Sequence, residues 1–265
     1  MRAVILAAGR GGRLRGVTGA LPKCLARVGS STLLERQVST LRACGIEDVT
    51  VVAGYRASDV RRVCGRRIRL VDNLRFASTN SLYSLWLTRA LLTDGFVVLN
   101  SDVLFSRQLL EDLLTARYDD ALLVAARGAR EYSDEEMKVR IRGGRIVAIS
   151  KSLEPADADG ENVGIGKFGR DGAGVLIDEM NRLITRGALR EWLPAAFAAF
   201  ARRRALWAVE SRGFPWIEID FPEDYWRACG EVLPAIDALD SPRSQTPIAA
   251  RGASTAATGR TVHHV

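Results

Sequence analysis

Two kinds of apolar block alternate along the first hundred residues. Residues 3–8 (AVILAA), 48–53 (DVTVVA), 67–72 and 95–100 (GFVVLN) are short apolar runs, the pattern of buried strands. Residues 31–45, 57–64 and 80–92 instead repeat apolar positions at helical spacing, with Gly45 as a C-terminal cap and Asn80 or Thr79 as an N-cap. Strand and helix in alternation predict an α/β fold: a mostly parallel, Rossmann-like central sheet with helices on both faces. Such sheets bind ligands at the carboxyl ends of their strands.

The pattern changes after residue 120. Segments 121–126, 137–142 and 145–150 read as strands, the last two as a hairpin across Gly143-Gly144. A polar loop is expected at 152–162, a strand at 163–168, helices at 171–187 and 189–204, and short strands at 206–210 and 216–219. A closing helix, 222–239, has Pro222 in its first turn. One unit over residues 1–240 is expected, divided near 120 into a larger first part and a small β-rich portion, 121–220. From 241 to 265 the chain is Ser, Pro, Thr, Ala, Gly and Arg without periodicity, and a disordered tail is expected. Its His263-His264 pair is too short to argue a metal site, and no internal repeat is present.

Composition narrows the function classes. Arg243, Arg251 and Arg260, in the acid-free tail, supply three of the net charges that sum to +7. The 34 arginines and four lysines read as the coding bias of a GC-rich genome, and they are spread along the chain instead of clustering with aromatics. No nucleic-acid partner is therefore expected. No apolar stretch reaches membrane-spanning length, so no membrane partner is expected either. The first apolar run is short, lacks a basic leader and enters a glycine-rich turn, which speaks against a signal peptide. Cys24, Cys44, Cys64 and Cys229 stand singly, with no CxxC pair, so disulfides and zinc are not expected and a cytoplasmic location is. Oligomeric state leaves no signal.

The chemistry begins where the first strand ends. Gly9, Gly11 and Gly12 let backbone N–H groups approach phosphate oxygens, and Arg13 and Lys23 add positive charge beside them. The spacing matches neither the dinucleotide fingerprint nor the P-loop. Asp102 follows the strand 95–100. In Trp216-Ile217-Glu218-Ile219-Asp220, alternation places Glu218 and Asp220 on one face. Two strand-terminal acids opposite a phosphate cradle suit Mg²⁺, although each acid could instead cap a helix. Trp216, Trp86, Tyr83 and Tyr132 offer either an aromatic box for a quaternary ammonium group or ordinary core.

Leu6-Ala7-Ala8-Gly9-x-Gly11-x-Arg13-Leu14, followed by Pro22-Lys23-x-Leu25, resembles the signature of nucleotidyltransferases that activate sugar phosphates and small phosphorylated alcohols. Gly16 stands where many relatives have proline. With Asp102 and Ile219-Asp220-x-Pro222-Glu223-Asp224, the resemblance extends to the GT-A-type nucleotidyltransferase fold over most of residues 1–240. Gly144–Lys151 is similar to the segment in which a second lysine binds the acceptor phosphate, with Ser150 where sugar-phosphate enzymes have glutamate. Residues 73–85 and 158–168 look like the corresponding segments of phosphocholine cytidylyltransferases.

The resemblance implies a function and a set of roles. Residues 1–120 would be mainly nucleotide-binding and 121–220 acceptor-binding. Leu6, Ala7, Ala8, Gly9, Gly11, Gly12, Arg13, Lys23 and Asp102 would bind the nucleotide, with Asn80 and Ser81 at its base or ribose. Asp102 and Asp220 would hold Mg²⁺. Lys151, Glu161, Trp216 and Glu218 would meet the acceptor, and Arg13, Lys23 and Lys151 would carry catalysis. The expected reaction moves CMP from CTP to a small phosphorylated or phosphonate acceptor, phosphocholine-like or alkylphosphonate, and releases pyrophosphate. The alternatives are a sugar-1-phosphate or inositol-phosphate nucleotidyltransferase, and a non-catalytic nucleotide-binding regulatory module. A glycosyltransferase is disfavoured because Asp102 is followed by Val103-Leu104, not by the Asp-x-Asp metal motif.

Overall fold

A computed structural model describes residues 1–127, 132 and 134–240. The expected tail, 241–265, lies outside the described residues. Strand β1 (Arg2–Ala7) leads into a 3₁₀ turn (Gly12–Leu14), the short helix α1 (Arg15–Thr18) and a second 3₁₀ turn (Lys23–Leu25). A small hairpin, β2 (Arg27–Val28) and β3 (Ser31–Thr32), precedes α2 (Leu33–Ala43). A capping box starts that helix. The Glu35 N–H donates to Thr32 Oγ1 at 3.2 Å, and the Thr32 N–H donates to Glu35 Oε2 at 2.8 Å.

The alternation then continues through β4 (Val49–Ala53), α3 (Ala57–Cys64), β5 (Arg69–Asp72), α4 (Ser81–Leu87) and β6 (Phe96–Asn100). The expected helix 80–92 ends early, at Leu87, and continues as a 3₁₀ turn. Elements that were not expected are the short α1, β2 and β3 near the start and, after β6, β7 (Val103–Phe105) and α5 (Arg107–Thr115). Next come β8 (Ala121–Ala126) and the hairpin of β9 (Lys138–Arg142) and β10 (Arg145–Ser150). Gly143 and Gly144 have φ of 56° and 76°, the left-handed pair that a two-residue hairpin turn demands.

Strand β11 (Gly160–Phe168) begins three residues before its expected start and takes in the end of the predicted polar loop. It is followed by α6 (Arg170–Thr185), α7 (Pro194–Ala201), β12 (Trp207–Glu210) and β13 (Trp216–Glu218). The closing helix is broken into α8 (Pro222–Arg227), a π turn (Ala228–Val232) and α9 (Leu233–Asp240). Pro234 has no N–H to give a regular helix, and the wider π turn precedes it.

Among the described residues the main sheet has nine strands in the order β5-β4-β1-β6-β11-β8-β12-β10-β9. The β5-β4-β1-β6 half is parallel, as the βα alternation requires; from β11 onward the neighbouring strands pair antiparallel except β8 and β12, which are parallel. Central β1 shows how both faces are covered. Ala3, Ile5 and Ala7 join one core with residues of α2, α3 and α5, while Val4 and Leu6 join a second with α4, α6 and α7. A third core joins Leu14 of the glycine-rich turn to Leu104, Ile217, Ile219, Leu233 and Ile236. That packing fixes the loop beside the end of β13. No helix among the described residues is long and apolar enough to cross a membrane.

Candidate active site

A cleft of about 370 Å³ opens at the carboxyl ends of β1 and β6. Its floor is built by an unexpected pairing. β7 runs antiparallel to β13, with Val103 opposite Glu218, and the Ile219 N–H donates to the Asp102 carbonyl at 3.0 Å. Asp102 and Asp220 are thereby brought together although they lie on distant segments. The Asp224 carboxylate accepts from the N–H groups of Asp220 (3.1 Å) and Phe221 (2.9 Å), fixing the turn that carries Asp220.

Lys23 lies between the two acids. Its Nζ is 2.8 Å from Asp102 Oδ2 and also donates to Asp220 Oδ1. Gly11 makes this approach possible: it has φ 60°, and a Cβ there would fall 2.5 Å from the Lys23 Cβ. Burial by itself would lower the Lys23 ammonium, but the charges of Asp102 and Asp220 and their hydrogen bonds outweigh it and hold the pKa well above the usual range. Glu218 completes the floor, and the carboxylates of Asp102, Glu218 and Asp220 lie within 4.8 Å of one another. The loss of surrounding water in the cleft, then the charges of Asp102 and Asp220, push the Glu218 carboxyl up to about 8, although its outer part stays exposed. Three hard oxygen donors with excess negative charge fit Mg²⁺. Asp102 Oδ1 supports the fit, being buried without a hydrogen-bond partner.

The rim carries a second ionic cluster. Glu135 Oε2 lies 3.1 Å from Arg13 and 3.2 Å from Lys151, so one carboxylate spans the loop side and the β10 side. Hydrogen bonds from both cations hold the Glu135 carboxyl below its usual range. The Lys151 ammonium also lies 5.3 Å over the ring of Trp192.

All the residues expected at the nucleotide and metal sites line this cleft, as do Lys151 and Glu218. Asn80 additionally caps α4, its side chain accepting from the Ser81 N–H at 2.8 Å, and Ser81 Oγ accepts from the Leu193 N–H at 2.8 Å. Trp216 and Glu161 are not brought to the wall. Trp216 shares a strand face with Glu218 but lies one pleat back, opposite Phe105 and against the core. On β11 the pleat gives the cleft to Asn162, and Glu161 instead faces the β9 register position of Lys138. The suggested aromatic box does not form from these rings. Trp86 stacks on Tyr83 at 5.4 Å and donates to Asn181, joining α4 to α6, and Tyr132 lies off the wall.

Glu135 and Trp192 are wall residues that sequence reasoning missed. Glu135 stood in the acidic run Asp134-Glu135-Glu136, which reads as a solvated face, and Trp192 stood in what was expected to be a helix.

Over 226 residues the chain is 34% identical to the bifunctional IPC transferase and DIPP synthase of Rubrobacter xylanophilus, covering 84% of this chain and 50% of that protein. A choline-phosphate cytidylyltransferase of Streptococcus pneumoniae is 35% identical over 119 residues, 44% of this chain and 52% of that one. The chain thus spans about half the length of these curated relatives. The solved CTP:phosphocholine cytidylyltransferase of Streptococcus pneumoniae superposes with a TM-score of 0.73 at 23% identity, covering 86% of this chain and 97% of that one. For the inositol-1-phosphate CTP transferase of T. maritima the TM-score is 0.72 at 22% identity, covering 89% and 96%. At such identities the likeness is one of fold. Residues 3–221 match the MobA-like NTP transferase domain, and the chain belongs to that family.

Proposed function

We propose that the protein is a cytidylyltransferase that moves CMP from CTP to a small phosphorylated or phosphonate acceptor. The observation that carries this reading is the convergence of Lys23, Asp102 and Asp220 on the floor of one cleft, with Arg13 and Lys151 at its rim. An acceptor oxygen attacks the α-phosphorus of CTP, the bond from that phosphorus to the bridging oxygen breaks, and pyrophosphate leaves with the electron pair. The acceptor is already an anion, so no side-chain nucleophile is required. The residues position the reactants and neutralise charge. The glycine-rich turn, Arg13 and Lys23 hold the triphosphate, and Lys151 orients the acceptor phosphate. Asp102 and Asp220, with Glu218 beside them, would hold Mg²⁺, which when bound neutralises charge on the reacting phosphates.

The rim favours an acceptor with a cationic end. Lys151 already rests between the Glu135 carboxylate and the Trp192 face, the two surroundings that an amine or quaternary ammonium group uses. A phosphocholine-like acceptor would draw Lys151 onto its phosphate and place its own cation there. A second reading, an inositol-phosphate acceptor, is favoured by the identity with the IPC transferase over most of this chain.

Pyrophosphate release with Mg²⁺ separates these readings. CTP, UTP, dTTP, GTP and ATP are each paired with phosphocholine, aminoethylphosphonate, inositol 1-phosphate and glucose 1-phosphate. Release confined to CTP and a zwitterionic acceptor is the expected result. Release with inositol 1-phosphate favours the second reading, and CTP binding without release under any pairing would leave a regulatory module.

A further inference from the structure

The apolar face of α2 contains one residue that does not belong to it by chemistry. The capping box at Thr32 sets the helical register, and Leu33, Leu34, Val38 and Leu41 turn inward with Gln37 among them. Gln37 is 1% exposed. A buried amide is costly unless its groups are hydrogen-bonded. Here the side-chain nitrogen donates to two carbonyls, those of Asn100 and Val103, each at 2.8 Å. Those carbonyls flank Ser101-Asp102, the turn between β6 and β7. Gln37 Oε1 has no hydrogen-bond partner, so the hydrogen bonds this side chain makes both go to that turn.

From this geometry we infer that Gln37 is a positioning residue for Asp102, an inference that rests on the cytidylyltransferase reading and its metal site. One NH₂ group clamps both ends of the turn from the core side, while the Ile219 N–H holds the Asp102 carbonyl from the β13 side. The carboxylate then projects from a backbone fixed in two directions. Without the clamp, β6 and β7 keep their pairings but the turn between them gains freedom. Ligand groups held by such outer partners lose metal affinity when the partner is removed, by roughly 10- to 100-fold.

The test compares wild type, Gln37→Met, which keeps the side-chain length without donors, and Val38→Ala, a core truncation on the same helix. Mn²⁺ is titrated into each CTP-bound protein and the free ion followed by electron paramagnetic resonance. Thermal melting, CTP binding without metal, and kcat against Mg²⁺ concentration accompany it. Gln37→Met is expected to weaken Mn²⁺ about tenfold. Its metal-free CTP affinity should stay near wild type, and high Mg²⁺ should recover its kcat. Val38→Ala should lower the melting temperature and leave Mn²⁺ affinity near wild type. If Gln37→Met does not fold, Gln37→Asn, whose amide falls one methylene short, must shift Mn²⁺ in the same direction. Unchanged Mn²⁺ affinity in the Gln37 variant, or an equal loss in Val38→Ala, overturns the inference. A wild type that binds neither CTP nor Mn²⁺ overturns the underlying cytidylyltransferase reading as well, a result distinct from either.

Discussion

The cleft has two ionic clusters, and they are built on opposite terms. On the floor Lys23 and Asp102 keep only 14% and 20% of their side-chain exposure, while on the rim Arg13 and Glu135 keep 52% and 44%. Floor charges interact in a lower-dielectric setting, and the main chain that carries Asp102 and Asp220 is held by the Ile219 N–H and by the Asp224 carboxylate. Rim charges face water, where an ion pair contributes about 0–1 kcal/mol. The floor is therefore a fixed apparatus. The rim is a set of partners that can be exchanged for those of a substrate. On the proposed reading, phosphate chemistry falls to the first and acceptor choice to the second.

This contrast predicts a graded series of effects. Asp102→Ala should lower turnover by about 10²–10³-fold, the loss expected when one preorganised charge contact is removed. Its circular dichroism and melting should stay near wild type, because Lys23 keeps Asp220 as a partner. An active Asp102→Ala enzyme would remove Asp102 from the reaction. Lys151→Ala should raise the acceptor KM about tenfold and change the CTP KM far less, since a single exchangeable charge contact is worth roughly 1–2 kcal/mol. Equal effects on both substrates would break the distinction between floor and rim.

Glu135→Gln should act in the opposite direction on simple anionic acceptors. Removing the carboxylate that engages Arg13 and Lys151 should lower their KM by about twofold, consistent with exposed pairs of a few tenths of a kcal/mol. The same variant should raise the KM of an acceptor with a cationic end. Steady-state kinetics with phosphocholine and with inositol 1-phosphate would show whether the signs differ.

The smallest effect is one of pH on stability in metal-free buffer. The Glu218 carboxyl is raised to about 8 in the folded protein, so between the ordinary glutamate range and 8 the folded state binds the extra proton. Its contribution is full at low pH and is lost as pH rises through 8. The melting temperature should therefore decline across that window more steeply in wild type than in Glu218→Gln. Mg²⁺ should flatten the wild-type curve by displacing the proton. Identical slopes in the two proteins would show that Glu218 does not feel the neighbouring acids.

That the glycine-rich turn and the two acids sit near strand ends was legible in the sequence because short-range signals place them. Gly9, Gly11 and Gly12 follow an apolar strand, and Asp102 and Asp220 end theirs. What joins those acids was not legible. Val103–Phe105 is too short for a periodic signal and gains its strand character from β13, far away in the chain. Trp216 was misplaced for a related reason: alternation gives the face of a residue but not its distance from the sheet edge. Glu161 lost its place to Asn162, beside an irregularity in the β11–β8 register that no local pattern announces. Gln37 did leave a trace, as a polar residue inside a helical apolar stripe, but its meaning depends on carbonyls it meets only in the folded chain.

The pairing of β7 with β13 has a consequence for how the molecule comes into being. Lys23 and Asp220 are 197 positions apart, so the floor depends on contacts of very high sequence separation. Closing such a loop is entropically costly, and contacts of this kind form late. On a ribosome, β1, β4 and β6 can assemble their parallel sheet long before residues 216–220 have left the exit tunnel. The growing chain thus has its glycine-rich turn in place well before it has a complete acidic floor.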